Sequence, residues 1–118
     1  MKKILVVDDD VNILTAINLI LTKNSFIVEM VSDWQNIPHS IKSYNPDLIL
    51  LDVSLSGADG REICSKLKKS KQTAHIPIIL VSAYYNLINN LQDCGADDII
   101  TKPFDASHLV NTVVSNLN

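Results

Sequence analysis

Short apolar runs and helix-period segments alternate along the whole chain. Ile4-Leu5-Val6-Val7 is an unbroken apolar run between charged residues and predicts a buried strand. Residues 11–23 follow a helical period, with Ile13, Ile17, Ile20 and Leu21 on one face. Phe26 to Val31 is β-branched and aromatic, which suits a second strand. Pro38 lies within residues 34–44, so a helix there must be short or irregular. Leu48 to Leu51 predicts a third strand. Gly60, Ile63, Cys64 and Leu67 recur at helical spacing, and Asp59 with Glu62 three positions later has the spacing of a capping box. Ile76 to Val81, with Pro77 near its start, predicts a fourth strand. Leu87, Ile88 and Leu91 suggest a short helix closed by Gly95. Ile99-Ile100 is a short fifth strand. Asp105 then caps a last helix whose apolar face is Leu109, Val110, Val113, Val114 and Leu117.

Five β units, each followed by an α unit, imply an α/β fold with a parallel sheet covered by helices on both faces. Right-handed crossovers leave few topologies. In such sheets the functional crevice lies beyond the C-terminal strand ends, where the strand order reverses. The 118 residues suit one domain, 1–118.

Composition narrows the function classes. The chain is 47% hydrophobic with 3 Gly and 4 Pro, which predicts a packed core. Its purely apolar runs are far shorter than the ~18 residues of a membrane span. Lys2-Lys3 and the run after it lack the length and cleavage site of a signal peptide, so a cytoplasmic location without a membrane partner is expected. The net charge of −3 offers no general attraction to nucleic acid, and direct binding to it is not expected. Lys66, Lys68, Lys69 and Lys71 are read as a solvated helix face and its exit. Cys64 and Cys94, isolated and far apart in sequence, are read as reduced cytosolic thiols. His39, His75 and His108 share no ligand spacing, which argues against zinc. There is no internal repeat, low-complexity stretch or linker.

The polar residues fall at the strand ends. Asp8, Asp9 and Asp10 follow strand one, Asp52 ends strand three, Ser82 ends strand four and Lys102 follows strand five. In the order 2-1-3-4-5 these ends are neighbours. Several carboxylates in one place repel one another and require a cation. Hard oxygen ligands at a partly open site suit Mg²⁺, which keeps waters and meets phosphate oxygens. A lysine and a hydroxyl beside it can hold further phosphate oxygens. Such an assembly suits phosphoryl transfer, with a carboxylate as nucleophile. Taken singly, each residue has a plainer role. The three aspartates can cap helix one, Ser82 can be a loop serine and Lys102 a surface lysine. Asp52 resists such a reading, because a buried unpaired carboxylate is costly.

These motifs resemble, in order and over nearly the whole chain, the receiver domain of bacterial two-component response regulators. The matching segments are Ile4-Leu5-Val6-Val7-Asp8-Asp9-Asp10, Leu48-Ile49-Leu50-Leu51-Asp52-Val53, Asp59-Gly60 and Val81-Ser82-Ala83. Gly95-Ala96-Asp97-Asp98 and Thr101-Lys102-Pro103-Phe104 complete the set. The resemblance implies a flavodoxin-like doubly wound (βα)5 fold with a five-stranded parallel sheet in the order 2-1-3-4-5. It implies a signalling switch rather than an enzyme, one that promotes its own Mg²⁺-dependent phosphorylation and dephosphorylation. Asp52 would accept the phosphoryl group from a histidine kinase or phosphotransfer protein. Asp9 would be the main Mg²⁺ ligand, with Asp8 acting through water, Asp52 beside them and the Ser54 backbone carbonyl completing the set. Ser82 and Lys102 would each hold a phosphoryl oxygen, and the Lys102-Pro103 bond would be cis. The changed surface would address an output domain or target protein, and phosphorylation would be able to drive homodimerisation through the last helix.

The sequence departs from the family pattern at two places. Ser56 replaces the usual proline in the loop after Asp52, which predicts a looser loop. Ile99 replaces the usual aromatic whose rotamer follows Ser82, and isoleucine is stiff at χ1. Phosphorylation is therefore expected to be read through loop movement around Ser82 to Asn86, with Tyr84 or Tyr85 taking part. Ser54 and Tyr84 also lie where the family tunes the lifetime of its phosphoaspartate.

Two rival readings use the same residues. In a haloacid dehalogenase-type phosphatase, Asp8 would be the nucleophile and Asp10 the general acid, with Ser82, Lys102 and Asp97-Asp98 in support. Against it, the chain is short and lacks a cap insertion, Lys102 follows the late acidic pair, and Asp52 has no role. The second rival is a binding module that keeps only the fold, a reading to which Ile99 gives weight. Gly57 and Gly60 make neither a P-loop nor a dinucleotide fingerprint.

Overall fold

A computed structural model describes residues 1–83 and 92–117. In chain order these are β1 (Lys3–Val7), α1 (Val11–Lys23), β2 (Ile27–Val31), a 3-10 turn (Trp34–Asn36) and α2 (Ile37–Tyr44). Then come β3 (Leu48–Asp52), a two-stranded ribbon (Ser54–Leu55 with Ala58–Asp59) and α3 (Gly60–Lys69). They are followed by β4 (Ile78–Ser82), a second 3-10 turn (Gln92–Cys94), β5 (Asp98–Thr101) and α4 (Ala106–Ser115). The five sheet strands are all parallel and run in the order β2-β1-β3-β4-β5, the topology expected from the sequence.

Two apolar layers sandwich the sheet. Ile4, Val6, Leu48, Leu50, Ile79, Val81 and Ile100 face α1 and α4, meeting Leu14, Ile17, Leu21, Leu109 and Val113. Leu5, Val7, Ile49, Leu51, Ile78 and Leu80 face α2 and α3, meeting Ile37 and Cys64. Residues on both strand faces are buried, so the central strands are apolar throughout rather than alternating. Each fully buried aliphatic side chain contributes ~2 kcal/mol.

Several details differ from the sequence pattern. On α1 the buried residues are Leu14, Ile17 and Leu21, while Ile13 and Ile20 are only partly covered. On α4, Val114 is 53% exposed, because Leu109, Thr112 and Val113 take the inner face. β2 begins at Ile27, after the left-handed Ser25 and the buried Phe26. β4 begins at Ile78, since Pro77 has no N–H to pair and offers only its carbonyl to Ile49. Pro38 sits in the first turn of α2, where a missing N–H costs nothing. Asp59 caps α3, but its carboxylate takes the Arg61 N–H and guanidinium instead of forming the reciprocal pair with Glu62. Asp105 caps α4 through the His108 N–H at 2.7 Å, as expected. The helix expected from Leu87, Ile88 and Leu91 lies outside the described residues, as do Tyr84, Tyr85 and Asn86; Gly95 has φ +87°. No helix among the described residues is long and apolar enough to cross a membrane.

Candidate phosphoacceptor site

β1 pairs with β2 on one side and β3 on the other, and the chain leaves β1 and β3 toward opposite faces of the sheet. The divergence opens a crevice at their C-terminal ends. Asp8 and Asp9 stand on its β1 wall and Asp52 on its β3 wall. One oxygen from each of these three carboxylates lies within 4.8 Å of the others. Asp8 and Asp52 are 2% and 5% exposed, whereas Asp9 faces solvent.

Lys102 directly follows the end of β5, and its bond to Pro103 is cis. Its ammonium donates to Asp8 Oδ2 at 3.2 Å and to Asp52 Oδ1 at 3.1 Å. Backbone pairing aims it, because the Lys102 N–H donates to the Ser82 carbonyl at 2.8 Å. Ser82 is buried at the end of β4, in register with Thr101 and one residue beyond Val81, the partner of Asp52. The crevice thus brings together Asp8, Asp9, Asp52 and Lys102, with Ser82 at the adjoining strand end. Ser54 lies two residues past Asp52, in the ribbon, paired with Asp59.

Asp10 does not join the cluster. Its carboxylate caps α1, accepting from the Asn12 and Ile13 N–H groups. The phosphatase reading thereby loses its general acid. Ile99 is partly buried on the α2/α3 side, in register with Leu80. The loop at Ser56 is tied at both backbone groups, which corrects the expectation of a loose one. Its N–H donates to Asp9 Oδ2 at 2.8 Å, and its carbonyl accepts from Trp34 Nε1 at 3.0 Å. Trp34 was not singled out by sequence reasoning, because a contact across 22 positions leaves no local signal. The sequence marks Gly60 as a helix position and as part of the Asp59-Gly60 motif, with no local reason for glycine there. The structure gives Gly60 a reason: a Cβ there would run into the Asp52 carbonyl oxygen and come within 2.9 Å of Val53 Cα. A cavity of about 560 Å³ between α2 and α3, lined by Pro38, Ile41, Leu67 and Ile76, holds none of these residues.

Burial pushes the Asp52 carboxyl up from 3.8 to about 6, and Asp8 and Asp9 push in the same direction while Lys102 opposes them. Burial alone would lower Lys102, but Asp52 and Asp8 outweigh it and its pKa is raised, so the lysine stays charged. The sign for stability follows. A carboxylate whose folded pKa exceeds its unfolded value stabilises the fold at low pH, and that contribution is lost as pH rises through about 6. Asp52→Asn is therefore expected to stabilise the metal-free protein at pH 8 by about 2 kcal/mol, and by little at pH 4. Urea melts in EDTA at both pH values check this; an equal gain at both would remove the electrostatic cause.

Three carboxylates around one ammonium leave net negative charge in the crevice. Their hard oxygens form an arrangement that can hold a metal ion.

Comparison with known proteins agrees with this geometry. The family model described as response regulator receiver domain matches residues 4–114. A curated relative, the DNA-binding dual master transcriptional regulator RpaA of Synechocystis sp., is 33% identical over 115 residues, covering 96% of this chain and 48% of the relative. The chain thus spans about half the length of that relative. The BeF3-activated receiver domain of Klebsiella pneumoniae RstA superposes with a TM-score of 0.89 at 29% identity, covering 98% of each chain. A CheY-like receiver domain protein of Methanospirillum hungatei gives 0.88 at 29% identity, covering 98% of this chain and 92% of that one. The chain belongs to the response regulator receiver domain family, the phosphoacceptor switches of two-component signalling.

Proposed function

We propose that this chain is a phosphorylation switch whose phosphoacceptor is Asp52. The observation that carries the reading is the convergence of Asp8, Asp9, Asp52 and Lys102 on one crevice from the ends of three strands. A histidine kinase or phosphotransfer protein is the donor. An Asp52 oxygen attacks phosphorus, the P–N bond to the donor imidazole breaks, and the leaving nitrogen keeps the electron pair. Attack needs the ionised carboxylate. A pKa of about 6 leaves Asp52 mostly ionised at neutral pH. Lys102 moves from its carboxylate partners onto a phosphoryl oxygen, and the Ser82 hydroxyl holds another. These groups stabilise the charge that spreads over the transferring phosphoryl.

The donor set fits Mg²⁺: Asp9, Asp8 and Asp52, with the Ser54 carbonyl, would hold it, and when bound it neutralises phosphoryl charge. The same residues promote both phosphorylation and hydrolysis of the aspartyl phosphate, and the chain works as a switch rather than as an enzyme on a separate substrate. Its altered surface addresses an output domain or a target protein in the cytoplasm. With a net charge of −3, DNA contact falls to such a partner rather than to this chain. The exposed Val114 on α4 offers an apolar contact for a phosphorylation-dependent homodimer.

Acetyl phosphate with Mg²⁺, followed by intact-mass measurement, tests the central assignment. The wild type is expected to gain a single phosphoryl adduct that Asp52→Asn and Mg²⁺ removal both abolish. An adduct that survives Asp52→Asn but disappears in Asp8→Asn would transfer the nucleophile to Asp8. Absence of any adduct, beside a receiver labelled in the same buffer, would leave only a phosphate-independent module.

A further inference from the structure

The two cysteines that stand 30 positions apart in the chain meet in space. Cys64 is fully buried on α3, against the α2/α3 side of the sheet. Cys94 ends the second 3-10 turn and is half-buried. The Cys64 Sγ lies 3.7 Å from the Cys94 carbonyl oxygen, and the two thiols lie within electrostatic reach of each other. The approach is fixed from several directions. Gly95, in the left-handed region, seats the turn against the Lys68 stem. The Lys68 ammonium binds the Ile76 carbonyl at 2.8 Å and Asp97 at 2.7 Å, clamping α3 to the segments that lead into β4 and β5.

We propose that Cys64 and Cys94 form an oxidisable dithiol, a modification site that closes to an intramolecular disulfide under a hydroperoxide. Their environments divide the work. Burial, first of all, and then Cys94 push the Cys64 thiol up to about 12, so Cys64 is a poor initial nucleophile. Cys94 borders an open surface cleft of about 340 Å³ with Asp59, Arg61, Glu62, Ser65 and Asp93. The Arg61 guanidinium lies within electrostatic reach of its sulfur, although Asp93, Glu62 and Asp59 on the same cleft temper that field. A small hydroperoxide reaches Cys94 from this side.

The chemistry balances in two steps. The Cys94 thiolate attacks a peroxide oxygen; the S–O bond forms, the O–O bond breaks, and hydroxide leaves, taking up the proton that Cys94 released. The Cys64 sulfur then attacks the Cys94 sulfur; the S–S bond forms, the S–O bond breaks, and the departing hydroxide takes the Cys64 proton as water. Two thiols are oxidised by two electrons and one hydrogen peroxide is reduced to two waters. The second step succeeds despite the high pKa because the Cys64 sulfur is held against residue 94, which makes it effectively unimolecular. The bond staples α3, whose first residue rests on the Asp52 carbonyl, to the turn that leads into β5 and Lys102.

The test treats the full chain with hydrogen peroxide, stops the reaction with catalase, then denatures and alkylates with N-ethylmaleimide before intact-mass measurement. The expected product is a monomer lighter by two hydrogens that takes no alkyl group. A reductant restores both alkylation sites, and a non-reducing digest links the peptides carrying residues 64 and 94. Cys64→Ala is expected to leave a Cys94 sulfenic acid that dimedone traps, while Cys94→Ser keeps Cys64 alkylatable after denaturation. The proposal is overturned if the oxidised wild type still takes two alkyl groups, if oxygen atoms accumulate on Cys94 without a link to Cys64, or if only chain-to-chain bridges form. These readouts on the wild type decide the matter even where a variant folds poorly.

Discussion

Lys102→Met is expected to destabilise the metal-free protein by about 3 kcal/mol at pH 8, since removing one partner of a buried ion pair strands the others. The lysine side chain is 18% exposed, against 3% for Asp8 and 6% for Asp52, so solvent screens this triad weakly. Without the ammonium, Asp52 loses the influence that holds its pKa down, and burial and Asp8 then carry it above about 6. The sign is the same as for any carboxyl raised on folding. The fold tolerates the group while it is protonated and suffers as pH rises through the folded pKa. The deficit is therefore expected to be large at pH 8 and to shrink toward pH 4. Urea titrations in EDTA across that range measure it. A deficit that did not change with pH would assign the loss to packing of the lysine stem instead. Mg²⁺ should recover part of the lost stability, since a cation replaces the missing charge.

Gly60→Ala is expected to cost about 3 kcal/mol or more, the upper end of overpacking penalties. The atoms it would meet are the Asp52 carbonyl and Val53 Cα, which are backbone and cannot rotate aside. The Gly60 N–H also donates to the Val53 carbonyl at 2.8 Å, fixing the start of α3 on the end of β3. Relief of the clash must displace the segment that carries Asp52. The variant is thus predicted to lose stability in urea melts and, at temperatures where it remains folded, to accept less phosphoryl from acetyl phosphate than the wild type. Normal labelling in a folded but destabilised Gly60→Ala protein would separate this contact from the site.

Much of the fold was legible because it rests on local patterns. Parallel strands buried on both faces must be apolar throughout, and β1, β3 and β4 announce themselves that way. Residues with reactive side chains interrupt those runs only at strand ends, so Asp8, Asp52, Ser82 and Lys102 could be placed at one crevice from strand order alone. The capping roles of Asp10, Asp59 and Asp105 were also within reach, because a cap acts on its own helix.

What escaped was the detail of contacts set by the meeting of distant segments. The periodicity of α1 named Ile13 and Ile20 beside Ile17 and Leu21, but the face packed toward β2 and α4 buries Leu14 in their place. Ser56 argued for a loose loop until Trp34 and Asp9 were found holding it. Position alone let all three adjacent aspartates cap helix one, yet only Asp10 turns to its helix while Asp8 and Asp9 gather with Asp52. Cys64 and Cys94 looked isolated because only the packing of α3 on the β4–β5 connection brings them together. The chain itself determined its strands, helices and the chemistry of its strand ends, for these depend on propensity and period within a few residues. Tertiary structure alone decided the charge balance at Asp52 and the contact between Cys64 and Cys94, for both depend on distances between atoms that the chain order does not constrain.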